Sequence, residues 1–159
     1  MIAVSGWQPA PGPPDVEIDP YVPVTVTFPA YHEPEPLRST VLHGPGGVAE
    51  LKVRAATGEV VEVVVPTGTP IAAPGPLAQP ALEHSGSVPL LEFPDTPARF
   101  EAPVTLTVHQ DAVVVTLASE PPISFGGTAH TQFGVDSSGH LAVIAVAVSA
   151  EQAAELLEG

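Results

Sequence analysis

The sequence contains no cysteine, which excludes disulfide bonds and thiolate metal sites. It also lacks a long apolar run. The longest, Leu141 to Val148, is far shorter than the roughly 20 residues that a membrane-spanning helix needs. The first residues show no basic segment followed by an apolar stretch, so we expect neither a standard signal peptide nor membrane association.

Positive charge is scarce as well. Four Lys and Arg residues stand against 18 Asp and Glu, which gives a formal net charge of −14. Such a chain repels nucleic-acid phosphates and has few cations to displace their counterions, so nucleic-acid binding is not expected. Two interpretations stay open: the charge steers a basic partner towards the protein, or it only keeps the protein soluble.

What the sequence has in quantity is proline, glycine and the small apolar residues. The 21 Pro and 14 Gly favour stiff, extended connections, and the Val- and Thr-rich segments between them favour strands. A chain of 159 residues is long enough for one or two compact domains with a real core. We therefore predict an all-β protein, mainly antiparallel.

Several short motifs recur at a fixed spacing of 80 residues, and such self-similarity indicates a tandem duplication. The matched pairs are Pro23–Thr27 with Pro103–Thr107, Gly46–Ala49 with Gly126–Ala129, Pro14-Asp15 with Pro94-Asp95 and, after one inserted residue, Gly58 with Gly139. We predict two related β units, packed as a sandwich or as a pseudo-twofold pair. The sequence leaves open whether they share one core.

The chain divides into four parts on this interpretation. Residues 1–21 form a Pro-rich arm without periodicity, and residues 22–66 form the first repeat. Residues 67–98 are a Pro/Gly/Ala-rich connector that holds a short edge strand at Val88–Phe93. Residues 99–159 form the second repeat, which ends in a short helix.

Strand alternation fixes the expected registers, since a shift of one residue moves every side chain to the other face. In the first hairpin we place Thr57–Glu59 in the turn. The expected pairs are Leu51 with Val65, Val53 with Val63, Ala55 with Val61 and Arg54 with Glu62 in the first unit, and Phe133 with Ile144 and Val135 with Ala142 in the second. Ser149 and Gln152 form a capping box, which begins a helix that presents Ala153, Leu156 and Leu157 on one side.

No residue pattern predicts catalysis, a metal or a cofactor. The six histidines lack the close spacing of zinc ligands and are expected to be scattered. Thr128, His130 and Thr131 lack the third group of a catalytic triad. The Gly44–Gly47 segment lacks the Lys-Ser/Thr and helix of a phosphate loop and is expected to be a turn. We predict a protein that is not an enzyme.

The expected interaction residues lie in two places. Trp7, in the arm, either packs back on the domain or anchors in a partner's pocket, since Trp is enriched among interface hot spots. The prolines after Phe28 exclude a ladder strand, so Ala30–Leu37 is expected to be an exposed loop. The loop residues predicted to contact a partner are Tyr31, His32, Glu33 and Glu35.

These observations favour a non-enzymatic protein that works by assembly with neighbouring protein subunits. Its most concrete version is a bacteriophage virion component: a capsid decoration, head–tail or tail protein. The alternative is a small acidic immunity or inhibitor protein that blocks a basic toxin or nuclease, using the loop with Asp15, Glu17 and Asp19. The expected location is the virion in the first case and the cytoplasm otherwise.

Overall fold

The computed structural model describes residues 1–94 and 99–158. Fifteen strands, one turn of 3-10 helix (Pro29–His32) and one α-helix, α1 (Ala150–Glu158), make up the regular structure of these residues. The strands are β1 (Ala3–Pro9), β2 (Asp15–Ile18), β3 (Val24–Thr27), β4 (Leu37–Gly44), β5 (Gly47–Arg54), β6 (Val60–Gly68), β7 (Pro70–Ala72), β8 (His84–Ser85), β9 (Ser87–Glu92), β10 (Arg99–Glu101), β11 (Thr105–Val108), β12 (Ala112–Thr116), β13 (Ser124–Gly127), β14 (Thr131–Val135) and β15 (Leu141–Ala147).

The strands form two large sheets and a two-stranded ribbon. The first sheet has the order β10-β4-β5-β6-β3-β2, the second has the order β7-β11-β12-β15-β14-β13-β8, and the ribbon is β1-β9. The pairs β10–β4, β7–β11 and β8–β13 are parallel, and the other pairs in these sheets are antiparallel. The predicted all-β class, mainly antiparallel with one C-terminal helix, is confirmed.

The two large sheets share one topology. Read from β2, the first runs β2-β3-β6-β5-β4; read from β11, the second runs β11-β12-β15-β14-β13. The central rungs correspond in position and burial. In the first sheet the rung is Val26, Val63 and Leu51, and in the second it is Val115, Ile144 and Phe133. The prediction of two related β units is therefore confirmed.

One hydrophobic core serves both units, which the sequence left open. Buried residues of both sheets form a single cluster, in which the rings of Phe28 and Phe133 lie 6.1 Å apart. The partly buried Trp7 and Val16 pack against the same cluster. The arrangement is a sandwich whose halves bury their apolar faces against each other, and neither half forms a separate bead.

The structurally equivalent residues of the two units are not separated by the fixed offset of 80 that the sequence motifs predict. The turn glycines Gly58 and Gly139 are equivalent, with φ of +81° and +80°. Pro103–Thr107, however, leads into β11, which corresponds to β2 and not to β3 as the alignment with Pro23–Thr27 requires. The first unit has a longer β4–β5 hairpin and a longer β3–β4 connection than their counterparts in the second unit, and both change the spacing within the repeat. Asp95, part of another matched pair, lies outside the described residues.

The predicted registers are partly correct. Phe133 pairs with Ile144 as expected, but a bulge after Gly134 pairs Val135 with Leu141. In the first unit Leu51 pairs with Val63, two residues from the predicted register. A shift of two keeps Leu51 and Val63 on the predicted buried face. The prediction fails nearer the turn, where a bulge pairs Val53 with Val60 and leaves Ala55 exposed, not buried beside Val61.

Residues 1–21 are more regular than the predicted arm. They contain β1, which pairs with β9, and β2, which pairs with β3, and Ile2 is only 1% exposed. The register of β1 shifts between Val4 and Gly6, and this bulge breaks the alternation that reveals a strand. The segment is part of the first unit. The edge strand predicted at Val88–Phe93 corresponds to β9 (Ser87–Glu92), which pairs with β1.

The helix begins as predicted. The Ser149 backbone N–H donates to Gln152 Oε1 at 2.9 Å, and the Gln152 N–H donates to Ser149 Oγ at 3.1 Å, which completes a capping box. Ala153 and Leu156 are buried, but Leu157 is 45% exposed and does not belong to the packed side.

Candidate protein-binding surface

The predicted loop between β3 and β4 is fixed to the first sheet at its start. The Phe28 N–H donates to the Val61 carbonyl at 2.9 Å, and Pro29 opens a 3-10 turn in which Ala30 is buried. Tyr31 is half-buried, whereas His32, Glu33 and Glu35 are exposed. The structure thus brings together four of the five predicted interaction residues on one surface, which we call the acidic loop (Tyr31–Glu35).

Arg54 on β5 holds the far end of this loop through a group of carboxylates. Its Nη2 lies 2.8 Å from Glu33 Oε2, and its Nε donates to Glu35 Oε2 at 2.7 Å. Its Nη1 lies 3.2 Å from Glu59 Oε1. One guanidinium therefore ties two loop carboxylates and a third from the β5–β6 turn to the same strand, a geometry that suits its planar set of donors.

The third carboxylate, Glu59, is 2% exposed. A buried carboxylate is costly unless it is paired, so Arg54 is required at this position. The Glu59 backbone N–H is also fixed, because it donates to Thr57 Oγ1 at 3.1 Å. The loop is thus attached to a cation that is itself held by a buried partner.

Lys52, two residues before Arg54 on β5, supports the near end of the loop. Its Nζ lies 3.1 Å from Glu62 Oε1 and 5.6 Å from the centre of the Tyr31 ring. Tyr31 also meets the His32 ring edge-on, with ring centres 5.6 Å apart. A cation over an aromatic face is favourable, so Lys52 helps to fix the Tyr31 ring.

These contacts raise the pKa of Arg54, chiefly through its hydrogen bond to Glu35, and shift two further ionisation equilibria. The hydrogen bond from Arg54 lowers the pKa of the Glu35 carboxyl below its ordinary 4.5; burial opposes this shift, and the charge of Arg54 adds to it. The hydrogen bond to Glu62 raises the pKa of Lys52 above 10.5 against the opposing effect of burial. Both shifts favour the charged forms that make the contacts.

Sequence reasoning missed the two cations as part of this surface. It paired Arg54 with Glu62, but Lys52 is the cross-strand partner of Glu62. Arg54 instead reaches Glu35, which is 19 residues away in the chain. A Pro-flanked pair of glutamates indicates that a cation lies nearby, but it does not identify that cation.

Trp7 lies in a different cluster from the acidic loop. Its ring stacks on His84, with ring centres 4.7 Å apart and planes inclined by 10°. It also lies over Gly126 of the second sheet, where a Cβ atom would come within 2.6 Å of Trp7 Cη2. Of the two interpretations, packing back on the domain is the one seen here, and anchoring in a partner stays a prediction.

The hydroxyl and glycine residues that resemble catalytic or phosphate-binding motifs have structural roles in turns. Thr128 Oγ1 accepts the backbone N–H groups of His130 and Thr131, each at 3.2 Å, and so shapes a turn. Gly44 and Gly47 pair across the end of the β4–β5 hairpin. Within residues 1–94 and 99–158, no group of three or more His, Asp and Glu side chains is placed to hold a metal ion.

No helix in the described parts of the chain has both the length and the apolar character needed to cross a membrane. No protein-family model matches the sequence, and no curated protein matches it. The fold and this surface therefore define the class: a duplicated β-sandwich that displays a fixed acidic loop.

Proposed function

We propose that the protein is a non-enzymatic assembly protein that binds neighbouring protein subunits through the acidic loop. The observation that supports this proposal most is the attachment of the loop to Arg54, which holds Glu33 and Glu35 in place while roughly half of each side chain stays in solvent (47% and 44% exposed). A surface loop that is fixed before binding loses less conformational entropy when it meets a partner.

The composition of the loop suits an interface. Tyr and other aromatic residues are enriched at the centres of protein interfaces, where their rings supply contact area at low entropic cost. Tyr31 is positioned by Lys52, and His32 beside it is exposed. The Tyr31–His32 pair would form the centre of the contact, with Glu33 and Glu35 at its rim.

The most concrete version of this function is a bacteriophage virion component, such as a capsid decoration, head–tail or tail protein. That version rests on the duplicated Val- and Thr-rich β units and their Pro-rich connections. These features favour a rigid building block.

The alternative function, an acidic inhibitor of a basic protein, needs the loop and Asp15, Glu17 and Asp19 to act as one face. The geometry favours it less at the loop, because Arg54 already pairs with Glu33 and Glu35. Asp15 and Glu17 lie on β2, at the end of the first sheet and three strands from β5. A single acidic face made of both groups is therefore not favoured.

Sedimentation velocity of the purified protein tests the proposal. We expect oligomers at high protein concentration, and the double variant Tyr31→Ala/His32→Ala should shift them to monomer. Tyr21→Ala is the matched control, because Tyr21 is 89% exposed and lies outside the loop. Wild-type protein that stays monomeric, or a control variant that disrupts oligomers as strongly as the loop variant, would contradict the proposal.

A further inference from the structure

The Lys and Arg residues of this protein lie on three adjacent strands at one end of the first sheet. The chain has four Lys and Arg residues, and all of them fall on the adjacent strands β10, β4 and β5. They are Arg99, Arg38, Lys52 and Arg54. Strand β2, at the opposite end of this sheet, carries Asp15 and Glu17 and is followed by Asp19.

The distance between the carboxylates of β2 and the cations of β5 exceeds the screening length of charges in solution. Strand β2 is three strand spacings from β5, or roughly 14 Å, since neighbouring strands lie about 4.8 Å apart. At physiological ionic strength charges are screened over about 8 Å. The Lys and Arg side chains on β5 therefore do little to neutralise the carboxylates of β2.

Among the described residues, the outer edge of β2 pairs with no other strand, so its backbone N–H and C=O groups are available. The strand pairs with β3 on one side and ends the sheet on the other. With four residues it is the longest of the strands that end the two large sheets; β7 and β10 have three residues and β8 has two. Pro14 and Pro20 flank it, which limits any added pairing to a short segment.

An apolar groove of about 480 Å³ lies beside this strand. Ala10, Pro13, Pro14 and Val16 line it on the side of the first unit, and Thr128, His130 and Ala147 line it on the side of the second. Because side chains alternate along a strand, Val16 faces the groove while Asp15 and Glu17 face the other way. A segment paired with β2 would meet apolar surface on one face and carboxylates on the other.

A small cavity that adjoins the groove holds an unpaired polar group. The cavity, of about 10 Å³, shares Ala10, Gly12, Pro14 and Thr128 with the groove and is also lined by Thr131. Thr131 is 2% exposed, and its Oγ1 has no hydrogen-bond partner among the residues that the structure describes. A buried hydroxyl without a partner is unfavourable, so a polar group that reached it would be stabilised.

We infer that β2 accepts an extended segment of a basic partner protein by strand addition. The segment alternates apolar residues, which enter the groove, with Lys or Arg residues, which lie over Asp15 and Glu17. This surface is separate from the acidic loop, so the inference goes beyond the proposed function, and its failure would leave that proposal standing.

The test uses the full chain and a fluorescently labelled peptide of about eight residues that alternates Lys and Val, a length within the usual range for strands. Binding is measured by fluorescence anisotropy at about 0.15 M salt, where screening reduces diffuse attraction. The variant Asp15→Asn/Glu17→Gln should weaken binding by about tenfold or more, because it removes the paired carboxylates. The control Glu151→Gln/Glu155→Gln makes the same charge change on α1 and should change affinity less than about twofold.

Two further peptides separate strand addition from charge attraction. One is N-methylated at its odd residues and the other at its even residues, so each lacks the amide donors of one edge. Only one edge of an added strand pairs with β2; we expect one peptide to lose binding and the other to keep it. No binding of the parent peptide, equal binding of both methylated peptides, or equal weakening by the α1 control would overturn the inference.

Discussion

Val4 and Leu91 are cross-strand partners in the β1–β9 ribbon, and each donates its backbone N–H to a turn glycine of the other β unit. The Val4 N–H bonds to the Gly139 carbonyl at 2.9 Å, and the Leu91 N–H bonds to the Gly58 carbonyl at 2.8 Å. Gly139 and Gly58 are the equivalent turn glycines of the two units. The ribbon therefore relates the two units by an approximate twofold axis near the Val4–Leu91 pair.

This relationship changes the interpretation of residues 1–21. Strand β1 precedes β2, and β9 precedes β11 with β10 between them, so β1 and β9 lead into corresponding strands of the two units. Each contacts the last hairpin turn of the other unit. Strands β1 and β9 are therefore exchanged between the two units within a single chain. A deletion of the N-terminal segment would remove a core residue, Ile2, together with this connection, and could not report on assembly alone.

The exchange predicts unequal effects at the two turn glycines. Both have positive φ, so Ala at either position costs about 1 to 2 kcal/mol of backbone strain. A Cβ on Gly58 would also collide with the Leu91 carbonyl oxygen, whereas a Cβ on Gly139 meets nothing within 4 Å. Urea unfolding should show a larger loss of stability for Gly58→Ala than for Gly139→Ala. Equal losses would argue against close contact between β9 and this turn.

The position of Trp7 predicts a fluorescence change, since it is the single Trp of the chain. Ala at Gly126 would place a Cβ 2.6 Å from Trp7 Cη2, so the ring must move, at a typical overpacking cost of about 1 to 3 kcal/mol. We expect Gly126→Ala to shift the emission to longer wavelength. Gly6→Ala is the control, because its Cβ would make an ordinary 3.6 Å contact with Leu90. Unchanged emission in Gly126→Ala would contradict the packing described.

The lowered pKa of Glu35 predicts how its contribution to stability depends on pH. Because the folded pKa lies below the ordinary 4.5, the Arg54–Glu35 contact stabilises the fold above about pH 4.5 and is lost as pH falls through the lowered pKa. Glu35→Gln should therefore lower the melting temperature above pH 4.5, and the difference from wild type should shrink in acid. Glu155→Gln, on the exposed C-terminal half of α1, should show no such destabilisation. A Glu35→Gln difference that is constant with pH would contradict the contact.

Arg54 is predicted to keep the acidic loop ordered. Arg54→Met removes the partner of three carboxylates, so exchange of the hydrogen-bonded amides of Tyr31, Glu33 and Glu35 should speed up by about tenfold or more through local opening. Arg38→Met is the matched control, since Arg38 is exposed on the neighbouring strand β4. Exchange that is equally fast in both variants would show that Arg54 does not hold the loop.

Local patterns predicted the strands better than their partners. Alternation placed Leu51 and Val63 on the buried face correctly, because burial of one face depends only on period two. Their register was wrong because the turn is closed at Arg54 and Glu59, by the Arg54 N–H to the Glu59 carbonyl, and bulges add further shifts. Bulges and turn lengths depend on tertiary contacts, which no local pattern records.

The candidate surface was predictable in its residues but not in its contacts. Prolines on either side of Glu33 and Glu35 indicated an exposed loop over Ala30–Leu37. The structure has an exposed loop at residues 32–36, but Ala30 is buried and Leu37 already belongs to β4. That Arg54 and the buried Glu59 fix this loop depends on how β5 and β6 lie beneath it, which is a tertiary property. The positions of the prolines predict that the loop is exposed, whereas its fixed conformation depends on tertiary contacts.

Multi-angle light scattering of the wild-type protein over a range of salt concentrations tests the central claim most directly. Copies that each carry a net charge of −14 repel one another, so assembly through the Tyr31–His32 contact should persist or grow as salt screens the repulsion. We predict defined oligomers whose mass holds or increases with added salt. A monomer at every salt concentration and at high protein concentration would contradict an assembly role.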